Sequence, residues 1–344
     1  MPIAIDIGTR ALHLVQGQAG KSTVNIRQAV IEPLPSGLVQ DGIIREFGGL
    51  EMALKAALAR NRIRDRSCAI TINGSHIYNR ELDVPDVKKK VLDDIVSFEV
   101  QSFMSVNKEV AVEYTVSKQR PADKPDHLRV RASAIQVDYV NDYHKLLRNC
   151  GLSPLALDIH PNALSKVIAG TEINDKQQAE NTNVMFLDLG AVTATAYIFN
   201  NGEIAYSRII PTGGLDIERY VNSVNSSING EASSADWIQI DKLDLSPANL
   251  RDNTPLSDAV RPMVATLRDG VQRIQQFLSG RQGGRVDKIY LYGRTALFSN
   301  LESTLEDAFG VETELIRKIG RVTMPQDIPI APFVNAIGAM IRLD

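Results

Sequence analysis

The sequence predicts an α/β chain in which one domain plan is used twice, with a ligand cleft between the two copies. Three observations carry this prediction. Ile5-Asp6-Ile7-Gly8-Thr9 near the start and Leu187-Asp188-Leu189-Gly190-Ala191 in mid-chain share one pattern of apolar strand, single Asp, Gly and small residue. Each is followed by further apolar strand segments and then by alternating helix and strand periodicity. Residues 76–156 interrupt the first copy with a strand–helix–strand–strand–helix module of their own. One Asp-x-Gly occurs in any hairpin, but two copies half a chain apart point to a duplication with the ligand between the halves.

In the first half, residues 2–8, 11–17 and 23–32 alternate as three consecutive strands, with a turn at Gly17–Gly20 and stops at Pro33 and Pro35. Val39–Ile44 follows as a short extended piece. Gly48–Arg60 has helical spacing, with Leu50, Leu54, Ala57 and Leu58 on one face, and Cys68–Asn73 is a strand ended by Gly74. In the insertion, Ile77–Val84 is a strand stopped by Pro85. Lys88–Phe103 is a helix with an apolar stripe of Val91, Ile95, Phe98 and Val100. Val110–Ser117 and Leu128–Val137 pair across the polar loop Gln119–His127, and Asp138–Asn149 is a helix closed by Gly151. Ala156–Ile159 resumes as a strand, followed by Pro161 and a helix through Ile168.

Residues 170–183 are polar and aperiodic and link the halves. The second half opens at Val184 with three strands that end at Pro211-Thr212-Gly213-Gly214. Leu215–Val224 is helical, residues 225–258 read as loops, and Leu256–Leu278 is a long amphipathic helix that tolerates Pro262 near its start. Lys288–Tyr292, Leu297–Phe309, Val311–Leu315 and Ala331–Ile341 complete it as strand, helix, strand and helix. The expected domains are 1–75 with 157–183, the insertion 76–156, a second core of 184–214 with 288–344, and its periphery 215–287.

With 344 residues and 44% hydrophobic content, the chain can build two substantial cores. A net charge of −3 gives no global basic field, so no nucleic-acid partner is expected, and Lys88-Lys89-Lys90 is a solvated helix start. Cys68 and Cys150 have neither metal spacing nor the pattern of a disulfide framework, which fits a reducing compartment. No run approaches the ~20 apolar residues of a membrane span, and the N-terminus opens directly into a strand without a signal-peptide pattern. A cytoplasmic location is therefore expected, with membrane association only through a partner.

Several segments spanning nearly the whole chain resemble the actin-like ATPase superfamily, which includes actin, sugar kinases and the division protein FtsA. They are Ile3–Thr9, Leu34–Ile44, Phe98–Phe103, Ala156–Leu164, Phe186–Gly190 with Ile210–Gly214, and Phe333–Ala339. Within the superfamily, the length, position and element order of residues 76–156 are most similar to the PilM family of type IV pilus assembly. Division proteins of the FtsA kind carry a C-terminal membrane-targeting helix, whereas this sequence ends at Leu343-Asp344. The implied fold is a pair of actin-like (ribonuclease H-like) domains with an inter-domain nucleotide cleft and an inserted α+β subdomain.

The resemblance implies ATP and Mg²⁺ as ligands. Asp6 and Asp188 match the metal-side carboxylates, and Mg²⁺ is commonly held through one or two carboxylates plus phosphates. Gly8, Thr9 and Arg10 in one half, with Gly190 and Ala191 in the other, match the two phosphate loops, where small residues let the backbone approach phosphate. Gly213 and Gly214, just before the helix at Leu215, would offer N–H groups at a helix N-terminus. Gly293 and Arg294 stand at the adenosine loop, where Arg294 would stack, grip phosphate or fill the pocket. His13 stands where relatives carry Lys. His160 stands where relatives position the attacking water; it would act there as a base, or be a polar surface residue at a strand end.

The implied role is a scaffold that binds the N-terminal cytoplasmic peptide of a PilN-like inner-membrane partner and allows a contact with the pilus assembly ATPase. Ile95, Phe98 and Phe103 are the expected groove residues, because a peptide needs apolar anchors. Weak or absent hydrolysis is expected. Two alternatives stay open: a true ATPase or small-molecule kinase, for which no base stands beside the phosphate loops, and a nucleotide-dependent filament.

Overall fold

All five residues of β1 (Ile3–Ile7) are buried, because packed layers cover the strand on both faces. Ile3, Ile5 and Ile7 enter one core, while Ala4 enters another shared with the second half. The structure is a computed structural model that describes residues 1–20, 22–104, 108–121, 123–220, 243–280 and 284–342. β2 (Ala11–Ala19) and β3 (Val24–Pro33) extend β1 as an antiparallel meander. Next come the small β4 (Val39–Gln40) and β5 (Ile43–Ile44), then α1 (Phe47–Arg60) and β6 (Ser67–Ile72), which lies parallel to β1 on its other side.

The insertion supplies β7 (Tyr78–Pro85), α2 (Lys89–Met104), β8 (Val110–Val116), β9 (His127–Gln136) and α3 (Val137–Asn149). Its three strands form a separate sheet in the order β7-β9-β8. The face of α2 buried on that sheet is Leu92, Val96, Val100 and Met104. The expected stripe is split by it: Val100 is buried, Ile95 is half-buried, and Val91 and Phe98 point outward. The helix has two adjacent rows of apolar residues, and periodicity alone does not say which row meets the sheet. Helix α3 returns to the first half, where Tyr143, Leu146 and Leu147 join its core and the Tyr143 hydroxyl donates to Gly42 O at 2.9 Å.

β10 (Ser153–Ile159) then joins β6, and α4 (His160–Ile168) leads to the second half. There β11 (Asn183–Leu189), β12 (Ala194–Asn200) and β13 (Glu203–Ile210) repeat the meander. Residues 215–220 are helical; the rest of that expected helix, and the expected loop as far as 242, lie outside the described residues. Pro247–Asp252, expected as loop, forms the short helix α5, opened by Ser246 whose hydroxyl accepts the Asn249 N–H at 3.3 Å. α6 (Thr254–Gly280) contains Pro262 as anticipated.

β14 (Lys288–Tyr292), α7 (Leu301–Phe309) and β15 (Thr313–Leu315) follow. Helix α7 starts later than expected because Asn300, at φ 59°, takes a left-handed conformation that interrupts the run from Leu297. The two main sheets have matching orders, β10-β6-β1-β2-β3 and β15-β14-β11-β12-β13, so the duplication is structural.

The closing segment crosses back. β16 (Val322–Thr323) pairs parallel with β3, and α8 (Val334–Met340) packs on α4, β1 and β6. Residues 322–323, grouped by sequence with the second core, thus join the first-half sheet, and α8 lies between the two sheets. Every residue of α8 is buried, and an all-round apolar helix has to lie between the halves rather than on one of them. Leu164 and Val167 of α4, Ala336 and Ile337 of α8, and Phe186 and Tyr290 of the second sheet share one core. The insertion also reaches across: Glu203 accepts from the Lys118 N–H at 2.8 Å and from the Ser117 hydroxyl.

Candidate functional site

The two matching motifs end in matching turns. The Gly8 N–H donates to Ala11 O at 3.0 Å, and the Gly190 N–H donates to Thr193 O at 3.1 Å. A Cβ on Gly190 would sit 2.7 Å from that same oxygen, so the turn closes only without a side chain. The register then sets Asp6 opposite His13 and beside Thr71, and Asp188 opposite Thr195 and beside Tyr292. Both carboxylates are thereby aimed from equivalent positions into one cleft of about 290 Å³, lined by both halves. Gly293, at φ +88°, borders it: a Cβ there would lie 2.6 Å from Asp188 Oδ1.

Between the carboxylates stands His160. Its Nε2 lies 2.8 Å from Asp6 Oδ1 and its Nδ1 lies 3.2 Å from Asp188 Oδ2. His160 is buried at the first turn of α4, which overturns the surface alternative. Asn335 Nδ2 lies 3.1 Å from the same Nδ1, so that nitrogen donates to Asp188 or accepts from Asn335 according to the tautomer. Burial disfavours the charge, but Asp6 and Asp188 override it and raise the His160 pKa to about 10. The N-terminal dipole of α4 also opposes a cation, by about 0.3–1 kcal/mol, less than the ~1.5–3 kcal/mol of one charge-assisted bond. For Asp6, burial pushes its carboxyl up, but His160 and His13 together hold it well below the usual range.

Asn335 of α8 completes the cluster, donating to Asp188 Oδ2 at 2.8 Å. It was not singled out from the sequence, although it is the only polar side chain in the apolar run Ala331–Ile341, which is a usable signal. Asn73 at the end of β6 bridges the cleft by donating to Thr195 Oγ1 at 2.9 Å. Glu218, also not anticipated, forms an ion pair with Arg294 on the cleft wall. Burial holds the Arg294 pKa below its ordinary value, with Glu218 opposing the shift and the charge of Arg10 adding to it.

Of the expected phosphate-side residues, Gly8, Thr9, Arg10, Gly190, Ala191, Gly293 and Arg294 line the cleft. Gly213 and Gly214 lie behind it. The Gly214 N–H is taken by Gly190 O at 3.1 Å and the Leu215 N–H by Ala191 O at 2.9 Å, so these groups brace the second turn instead of facing a ligand. The glycine turns and two guanidinium groups suit a phosphate-bearing ligand. The carboxylates do not suit a directly bound divalent cation, because His160 fills the gap between them. Among the described residues no group of three or more His, Cys, Asp or Glu side chains is arranged to hold a metal ion.

The expected peptide-groove residues differ in setting. Phe98 is 70% exposed, Phe103 is partly covered by the Arg80 guanidinium 3.4 Å from its ring centre, and Ile95 packs on the insertion's own core. No helix among the described residues is long and apolar enough to cross a membrane.

The paired sheets, the inserted module and the mirrored turns around one cleft define a protein of the actin-like class. Similar solved structures agree: EutJ from Carboxydothermus hydrogenoformans (TM-score 0.52, 13% identity, covering 98% of this chain and 88% of that one) and MreB5 of Spiroplasma citri bound to AMPPNP (0.51, 12%, 98% and 94%). A PilM-PilN type IV pilus biogenesis complex matches at TM-score 0.75 and 21% identity, over 98% of this chain and 97% of that one. Residues 4–330 match the family described as type IV pilus assembly protein PilM, and the chain belongs to that family. It is also 23% identical over 246 residues to the cell division protein FtsA of Bacillus subtilis (strain 168), spanning 64% of this chain and only 53% of that relative's length.

Proposed function

We propose that this protein is a cytoplasmic scaffold of type IV pilus assembly that captures the N-terminal cytoplasmic segment of a PilN-like inner-membrane protein and holds ATP in its inter-domain cleft. The observation that carries the scaffold role is the outward row of α2, where Val91 and Phe98 stand exposed on the inserted module. Exposed aromatic anchors on a rigid helix suit an apolar peptide. The nucleotide half rests on the two glycine turns and the arginines of the cleft wall. Asp6 and Asp188 are engaged by His160, Asp41 by Ser75 and Glu218 by Arg294, which favours binding over turnover and a scaffold over a kinase.

A fluorescein-labelled peptide of the partner's cytoplasmic N-terminal segment, titrated with the full chain and read by anisotropy, tests the scaffold role. Saturable binding weakened about tenfold or more by Phe98→Ala, with an unchanged circular dichroism spectrum, is expected. Absence of binding, or binding indifferent to Phe98→Ala and Phe103→Ala together, would overturn it.

A further inference from the structure

We infer that the end of the first half opposite the cleft is a cationic face that rests on an anionic phospholipid surface, with Arg60, Arg62, Arg64 and Arg66 as its contacts. The chain has a net charge of −3, yet four of the seven residues 60–66 are arginine, and all four are exposed. The segment leaves α1 and enters β6, whose Cys68 pairs with Ile3 at the start of β1, whereas Asp6 toward the other end of β1 lines the cleft. The face is therefore separate from the nucleotide site.

The backbone fixes these arginines in place. The Ile63 N–H donates to Leu58 O at 2.9 Å and the Arg62 N–H to Ala59 O at 3.1 Å, which closes α1 with Arg62 at φ 54°. Glycine is the usual residue at that left-handed position, so an exposed arginine stands there against the backbone preference. Attraction to the C-terminal dipole of α1 accounts for Arg60 and Arg62, but Arg64 and Arg66 lie beyond the last turn. Arg66 Nη1 donates to Gly151 O at 3.1 Å, just past α3, whose last turn adds the exposed Arg148. Arg60 shares its charge with Glu32, and Asp65, the one acid in the run, is occupied by Gln16 Nε2 and the Met1 nitrogen. Among the described residues no carboxylate pairs with Arg62, Arg64, Arg66 or Arg148.

Charge without an apolar centre makes a poor protein interface, where buried apolar anchors supply the energy. No large hydrophobic side chain is exposed between residues 60 and 67, and Ile63 packs on the first-half core. The run also has no aromatic ring on which a base could stack. A layer of lipid phosphates needs neither, and each arginine near it favours binding by on the order of fivefold. A bilayer is favoured over other polyanions because the proposed partner is an inner-membrane protein, so this inference rests in part on that reading.

Flotation of the full chain with vesicles of phosphatidylcholine alone, or mixed in equal parts with phosphatidylglycerol, tests this. Binding to the mixed vesicles only, weakening as added salt screens the charges, is expected. Arg62→Gly should bind about fivefold more weakly yet melt no lower than the wild type, because glycine suits the left-handed position. Arg62→Glu combined with Arg64→Glu should weaken binding by on the order of twentyfold or more. Arg219→Gln, which removes one charge next to Glu218 of the cleft wall, should bind as the wild type does. Equal binding to both vesicles, binding to neither, or binding indifferent to the Arg62 and Arg64 variants overturns the inference, as does capture of duplex DNA without capture of vesicles. A chain that takes the partner's peptide but no vesicle loses this inference alone, and vesicle binding that these variants weaken stands whether or not the peptide binds.

Discussion

At the scale of single residues, the histidine between two carboxylates sets how the molecule responds to pH. Folded His160 keeps its proton up to about pH 10, whereas the unfolded residue releases it near 6.5. The folded form therefore binds more protons across that interval, and stability falls as pH rises from about 6.5 toward 10, being fully present below it. Asp6 behaves oppositely: with its carboxyl held below the ordinary 3.8, its contribution is present above that value and lost on acidification. Thermal melts at about pH 6 and about pH 9 should differ by less in His160→Gln than in the wild type, the alkaline loss being on the order of a few kcal/mol. Gly293→Ala should cost about 1–3 kcal/mol by urea denaturation, because φ +88° and the approach to Asp188 both forbid a side chain.

Elements decide which apolar residues stabilise the fold and which are left for a partner, and α2 shows the distinction on one helix. Leu92→Ala, on the buried row, should destabilise by about 2–5 kcal/mol, while Phe98→Ala, on the outward row, should change stability by no more than about 0.5 kcal/mol. Chemical denaturation of the two variants checks the contrast, and a large loss in Phe98→Ala would mean that the outward row is core. Helix α4 poses a different problem, since it buries Lys166. The Lys166 ammonium donates to Asp158 Oδ2 at 2.6 Å and to Ile341 O at 2.7 Å, joining β10 to the chain just beyond α8. Lys166→Met alone should cost about 3–5 kcal/mol because it strands the Asp158 charge, and pairing it with Asp158→Asn should recover part of that loss in the same assay.

Across the whole molecule, the site exists because α4 and α8 cross closely enough to bring His160 and Asn335 to the same two carboxylates. The crossing has no room for a side chain: a Cβ on Gly338 would lie 2.0 Å from Ala163 O. Gly338→Ala should push the helices apart, lower the melting temperature and weaken ATP binding together, whereas a stability loss with binding unchanged would separate the crossing from the site. The continuous core shared by the two sheets limits how the halves can move.

The duplication, the meanders, the inserted module and the paired Asp6 and Asp188 were all legible in the sequence, because strand alternation and glycine turns are local properties that repeat with their motif. Periodicity placed α2 and an apolar stripe on it, of which Val100 is buried and Val91 and Phe98 are exposed, since only the sheet beneath selects which residues it covers. His160 was legible as a residue but not as a charge: its state depends on two carboxylates, 154 and 28 residues away along the chain. Asn335 and the pairing of residues 322–323 with the first-half sheet were likewise set by packing. Sequence by itself determined what each half is. Tertiary structure decided what stands between them, because burial and electrostatic pairing depend on distance in space and not on distance along the chain.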